Sequence, residues 1–389
     1  MRAYVFTNQA LAKHAGQFVW LSLDTEKAQN AGFQEKFPVE AWPTLFVIDP
    51  EHETATFKWL GGANVGDLEQ LLSDAELEMR HGDQSKAGVA LAQADAFEAQ
   101  GKHAEAATAY RDAIAAGGAQ WPDGERVMLS LLGVLQETGD NAGCLALVRE
   151  RLPMSQQLLA NKAPGVLERE TLVANLAATG LQCALALDPK TQGRDETLHQ
   201  METASTQALD YADLNADDRS SLYETLIEAR NDQKDEAGAK QLAGKQLAFL
   251  EAQAAKAPNP TARAVFDAHR VNAAMALGDP ARAIPALEQS EHDFPDDYNP
   301  PARLAVIYRE LGKYPEALAA NDRALAKVYG PRKLRVYDVR LTIYDKMGDK
   351  AHARSTLDEA IAYARALPVG QRNEKAIARL EAARAKLSN

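Results

Sequence analysis

The chain has 389 residues, 46% hydrophobic and 25% charged, a balance found in folded rather than disordered proteins. Its formal net charge of -12 works against binding a phosphate backbone, so nucleic acid is not an expected partner. No apolar run reaches the roughly 20 residues needed to span a bilayer, and the opening MRAYVFTNQALAKHAG has neither an apolar core nor a cleavage site. The sequence as written is therefore expected in the cytoplasm, without membrane insertion. A signal peptide upstream of Met1 would place it in the periplasm instead.

Residues 1–80 alternate strand and helix patterns. FVWLSLD (18–24) is the kind of continuous apolar run that a buried strand makes, and EKAQNAGFQEKF after it has helical character. AWPTLFVID holds a second strand beginning just after Pro43, and PEHETA turns the chain into a third, TFKWL. Gly61 and Gly62 then lead to the amphipathic VGDLEQLLSDAELEM. A phosphate loop would need Lys-Ser/Thr after those glycines, so they are expected to form a strand-end turn. There is no GxSxG or HExxH, and the eight histidines are scattered singly. No catalytic residue, metal or cofactor is expected of this chain.

The order strand, helix, Pro-Thr, strand, hairpin strand, glycine, helix resembles the last two-thirds of a thioredoxin domain. The resemblance implies an α/β thioredoxin-like fold for residues 1–80. Its strongest motif is Trp42-Pro43-Thr44, where that family places a cis-proline facing its redox dithiol. By the same resemblance Pro43 is expected to be cis, and Trp42, Pro43 and Thr44 to form a client-contacting surface. The sequence departs from the family in lacking the N-terminal edge strand, the central strand and the CxxC. In the family that central strand lies between the strands represented here by 18–24 and 44–49. Either these two pair directly in a degenerate domain, or Met1 is an internal methionine and the strands and dithiol lie upstream. MRAYVFTNQALAKHAGQFVWLSLDTEK resembles the stretch that follows CxxC in one branch of the family, which favours the upstream account.

Residues 84–389 are expected to form an all-α solenoid. In ALAQADAFEAQGKHAEAATAYRDAIA, Phe97, Gly101, Ala106, Tyr110 and Ala113 stand at offsets that recur near the end of the chain. There Gly278, Gly312 and Gly348 are each followed five residues later by Ala283, Ala317 and Ala353, and seven further on by Ser290, Ala324 and Ala360. Glycine ends a first helix in a left-handed turn, and small residues seven apart let the paired helix approach closely. The pattern resembles the tetratricopeptide repeat, with clear units at 87–120, 264–297, 298–331 and 334–367. Residues 125–260 keep a helical period but little of the consensus. Cys144 and Cys183, 39 residues apart and in no CxxC, are expected there as two separate buried thiols.

Tetratricopeptide stacks bind proteins in a groove lined by the first helix of each hairpin. Residue by residue, the resemblance puts Val265, Asn272, Met275, Asn299, Val306, Arg309 and Arg335 on that groove. Arg309 and Arg335 are expected either to take a client carboxylate in a bidentate fork or to pair with nearby acids such as Glu310 and Asp338. Two functions stay open. One is a chaperone-like module in which the repeats and the thioredoxin-like domain hold client proteins. The other is a thiol-disulfide oxidoreductase whose CxxC lies upstream of Met1.

Overall fold

The computed structural model describes residues 5–39, 42–60, 63, 65–81, 85–118, 121, 123–162, 169–212 and 214–387. Two 3-10 turns, Gln9–His14 and Ala28–Asn30, precede helix α1 (Ala31–Lys36). Strands β1 (Thr44–Asp49) and β2 (Thr54–Leu60) and helix α2 (Val65–His81) follow. The strands pair antiparallel, with Thr44 opposite Leu60 and Asp49 opposite Thr54. Phe57 of β2 packs with Leu11 and with Leu68, Leu71 and Leu72 of α2 in a small core. The Trp42–Pro43 bond is cis, as the thioredoxin resemblance implies.

The rest of that resemblance does not appear as a thioredoxin sheet. Among the described residues the sheet has two strands, β1 and β2. Residues 18–24, expected as a buried strand, form no strand at all, and Val19 and Leu21 are 87% and 74% exposed. A strand forms only against a neighbour that takes its backbone hydrogen bonds. Neither β1 nor any other described strand offers one to 18–24, so the alternative of a degenerate domain in which 18–24 pairs directly with 44–49 is not what forms. The expected helix over 26–37 shortens to the 28–30 turn and α1. Met1 and the Gly61-Gly62 turn lie outside the described residues.

From Lys86 onward the chain is a succession of antiparallel helical hairpins. They are α3 (Lys86–Ala99) with α4 (His103–Gly117), α5 (Gly124–Glu137) with α6 (Asn141–Ala160), and α7 (Arg169–Leu185) with α8 (Arg194–Ala208). Next come α9 (Ala216–Asp232) with α10 (Glu236–Ala255), then the short α11 (Pro260–Ala264) leading into α12 (Asp267–Leu277) with α13 (Ile284–Asp293). The series ends with α14 (Asn299–Glu310) and α15 (Tyr314–Lys327), α16 (Lys333–Met347) and α17 (Lys350–Ala366), and α18 (Glu374–Lys386).

The turns explain the repeat. Gly101, Gly139, Gly278, Gly312 and Gly348 all take positive φ between their paired helices, a region that costs any residue with a Cβ roughly 1–2 kcal/mol. Five residues on, Ala106, Cys144, Ala283, Ala317 and Ala353 are buried, where a larger side chain would hold the helices apart. The α9–α10 hairpin is built the same way from different letters. Lys234 takes the left-handed turn at φ 60°, and Asp235 caps α10 by accepting from the Gly238 amide at 2.9 Å. Asp140 caps α6 identically, accepting from the Gly143 amide at 2.9 Å. Where later repeats have Ala324 and Ala360, this hairpin buries Gln246, whose Nε2 donates to Ser220 Oγ at 2.8 Å.

The chain divides into two compact units, Met1–Val19 with Phe37–Gln246, and Trp20–Lys36 with Leu247–Asn389. The first unit has a continuous core running from Leu91 of α3 to Ala229 of α9. Inside it lies the largest correction to the cysteine reading. Cys144 of α6 and Cys183 of α7 are joined in a disulfide, with Cα atoms 6.3 Å apart. Adjacent hairpins bring together two residues that are far apart in sequence, and spacing along the chain carries no sign of it. Both are fully buried.

Candidate protein-binding surface

In the second unit the first helices of the hairpins are α12, α14 and α16, and the groove residues expected from sequence fall on or beside them. Asn272 is exposed on α12, Asn299 is half-buried at the start of α14, and Arg335 is exposed on the first turn of α16. Asn299 holds its own turn, donating from Nδ2 to Asp297 Oδ1 at 2.7 Å. Arg309 is engaged within the array. Its Nε and Nη2 donate to Glu310 Oε1 at 2.9 and 2.6 Å, and its Nη1 to Thr342 Oγ1 of α16 at 2.7 Å. The pairing with Glu310 is thus present. Asp338, the acid expected beside Arg335, is taken instead by Arg379 at 3.0 Å.

Three further arginines lie on or just before these helices and were not singled out from sequence. Arg303 of α14 is half-buried, and burial disfavours its charge while Asp267, Asp297 and the Tyr298 hydroxyl favour it. Arg270 of α12 lies beside Asp267, with Nη1 3.5 Å from Oδ1. Burial pushes the Asp267 carboxyl above its ordinary value, and Arg270, Arg303 and Arg263 hold it down. Arg332, just before α16, donates from Nη1 to Tyr298 Oη at 3.3 Å. Arg332 precedes the helix start, so counting helical positions passes over it. Its signal was the Gly330-Pro331 turn that sets it there.

A carboxylate already sits among these groups. Glu26 accepts from the Arg332 backbone amide at 2.7 Å, and its other oxygen lies 3.2 Å from Arg332 Nε. Burial raises the Glu26 pKa, while the Arg332 amide and the charges of Arg332 and Arg335 oppose that rise. Arg335, one of the two arginines expected to receive a client carboxylate, is therefore within electrostatic reach of one from its own chain.

Trp42, Pro43 and Thr44 belong to the first unit, Trp42 exposed and Thr44 half-buried at the start of β1. The same unit holds a sealed polar cluster. Tyr110 Oη lies 2.7 Å from Asp95 Oδ1 and 2.5 Å from Glu98 Oε2. One hydroxyl proton cannot serve two carboxylates, so one carboxyl must itself keep a proton and donate. Burial agrees, pushing Asp95 up to about 6 and Glu98 up to about 7. Lys58 of β2 is 3.9 Å from Glu98 and Arg126 of α5 is 3.8 Å from Asp95, with the guanidinium 4.1 Å over the Phe57 ring. All four charged side chains are nearly inaccessible to solvent. No substrate can reach them as they stand, and their role is to tie β2 to α3, α4 and α5.

Sequence comparison with protein families matches tetratricopeptide-repeat models over residues 77–143 and 274–332. No curated protein matches the chain. Among solved structures, it is similar to a tetratricopeptide repeat protein from Parabacteroides merdae, at 13% identity over 78% of this chain and 99% of that one, with a TM-score of 0.46. The TPR2AB domain of yeast Sti1 in complex with pHSP90 matches at 17% identity over 78% of this chain and 98% of its own, with a TM-score of 0.29. Yeast Tom70 matches at 14% identity over 83% and 87%, with a TM-score of 0.22. None of the described helices is long and apolar enough to cross a membrane. The glycine-turned hairpins and the two matched stretches lead to one conclusion: the chain carries tetratricopeptide repeats, at 77–143 and again at 274–332.

Proposed function

We propose that this protein is a chaperone-like, protein-binding module. Its C-terminal repeats hold a polypeptide along the face of α12, α14 and α16, and Trp42, Pro43 and Thr44 provide a second contact surface in the first unit. The observation that carries the reading is a basic grouping in a chain whose net charge is -12: Arg332 lies within electrostatic reach of Arg303, and Arg332 and Arg335 both act on the Glu26 carboxylate. Guanidinium groups bind carboxylates in a fixed fork, and Asn272 and Asn299 add amide groups suited to a peptide backbone. The buried disulfide favours an oxidising compartment such as the periplasm, because thiols in the cytosol are kept reduced.

Thiol-disulfide exchange, the second reading, draws on the order β1, β2, α2 after Pro43. It needs a dithiol other than Cys144 and Cys183, which are buried and already joined.

The test of the binding reading uses the intact chain and a permanently unfolded, carboxymethylated protein as client, with affinity measured by fluorescence anisotropy. Arg309→Glu combined with Arg335→Glu is expected to weaken binding about tenfold or more, the scale of one or two lost charge-assisted hydrogen bonds. Unchanged affinity in a variant that keeps its helical circular dichroism would refute the assignment of this face.

A further inference from the structure

Residues 24–36 lie against the C-terminal helices of their own unit, and the way they are held is that of a recognised peptide. Tyr329 Oη donates to Asp24 Oδ2 at 2.5 Å, and the Arg332 amide and guanidinium take the two oxygens of Glu26. Between these side chains the backbone itself is read. Gln371, almost fully buried, donates from Nε2 to the carbonyl of Thr25 at 2.7 Å and to that of Lys27 at 3.1 Å. Two glycines let the segment come this close. A Cβ at Gly330 would lie 2.3 Å from the Glu26 carbonyl oxygen, and one at Gly370 would lie 2.2 Å from that of Ala31. Both clashes are with backbone, which cannot move aside as a side-chain tip can. The segment also carries its own order, since the Glu26 amide donates to Asp24 Oδ1 at 2.9 Å and Asn30 Nδ2 to the Asp24 carbonyl at 2.8 Å.

Alternating carboxylates on a basic rim, carbonyls on a buried amide and glycines at the closest approach together make a sequence-selective peptide site. We propose that Tyr329, Gly330, Arg332, Gly370 and Gln371 form a binding site for an Asp-x-Glu peptide, filled in this structure by the chain's own Asp24-Thr25-Glu26 as a tethered ligand. A partner using this site must present the same spacing of carboxylates and displace the tether. Tethering sets a local concentration in the millimolar range, so a peptide with ordinary micromolar affinity competes poorly until residues 24–36 are drawn away. The inference rests on reading the C-terminal repeats as a protein-binding surface and adds to it the chemistry of the partner and the means by which the site is kept closed.

The probe is a fluorescein-labelled synthetic peptide with the sequence of residues 20–36, and no client protein enters the measurement. Wild type is compared with Glu26→Arg, which expels the tether and leaves the site intact, and with Glu26→Arg combined with Gly370→Ala, which expels the tether and blocks the site. Hydrogen exchange over α14–α17 checks that each variant stays folded. The peptide is expected to bind Glu26→Arg at least tenfold more tightly than wild type, and the double variant is expected to lose that gain. Equal affinity for wild type and Glu26→Arg would overturn the proposal, and so would no measurable binding to Glu26→Arg. Because the assay omits the unfolded client, either failure would leave the binding face of α12, α14 and α16 to be judged on its own test.

Discussion

Breaking the Cys144–Cys183 bond is expected to cost the first unit about 4 kcal/mol, the loop-closure entropy of a 39-residue loop released in the unfolded chain. Native packing adds little to that figure. Cys144 occupies the small-residue position five after Gly139, and alanine fills the same position in the repeats turned at Gly101, Gly312 and Gly348. Cys144→Ala should therefore leave the α5–α6 crossing in place while removing the tether between α6 and α7. The measurement is urea unfolding of wild type, of Cys144→Ala and of wild type reduced under denaturant and refolded in reductant. Both altered forms should unfold at lower urea with similar slopes. A midpoint that reductant does not move would mean that the bond is absent from the folded protein or contributes nothing to it.

The second large effect belongs to the sealed cluster of Asp95, Glu98, Tyr110, Arg126 and Lys58. Removing one member of a buried ion pair leaves a charge without compensation, at a cost of about 3–5 kcal/mol. Arg126→Met is expected to lose about that much at pH 8, where Asp95 would stand ionised with no cation near it. The sign with pH follows from the direction of the shifts. The folded pKa values of Asp95 and Glu98, about 6 and about 7, lie above their ordinary values of 3.8 and 4.5. Folding therefore takes up protons between those limits, and these groups lower stability as pH rises from about 4 to about 7. In Arg126→Met the guanidinium no longer holds Asp95 down, so the decline should be steeper and should extend to higher pH. At pH 5 the carboxyl is already protonated, and the loss should be clearly smaller than at pH 8. Thermal unfolding of both proteins across this range gives the answer. A penalty equal at pH 5 and pH 8 would show that Asp95 does not depend on Arg126 for its charge.

Sequence exposed the repeats wherever physics allows few alternatives. A left-handed turn nearly demands glycine and a close crossing nearly demands alanine, so Gly312 with Ala317, and Gly348 with Ala353, announce their hairpins. The α9–α10 hairpin stayed hidden because Lys234 bears the left-handed turn and Gln246 fills the small-residue position by bonding to Ser220. Those solutions are stable but leave no periodic letter. Residues 18–24 misled for the opposite reason. Their apolar run has strand character, but a strand depends on its neighbour, and local pattern does not report whether a neighbour exists. The disulfide, the Tyr110 cluster and the grip of Gln371 on residues 25 and 27 are all meetings of distant segments. Of the proposed binding face, Arg335 and Arg309 could be counted from the repeat, whereas Arg332 and the carboxylate it holds could not.

Hydrogen exchange of the intact chain, with and without a saturating unfolded client, tests the central claim most directly, because it reports where the polypeptide is held. Binding along the C-terminal repeats predicts slower exchange in Asp267–Leu277, Asn299–Glu310 and Lys333–Met347 when the client is present. A client that binds with no change in those three helices, or with protection confined to the first unit, would contradict it.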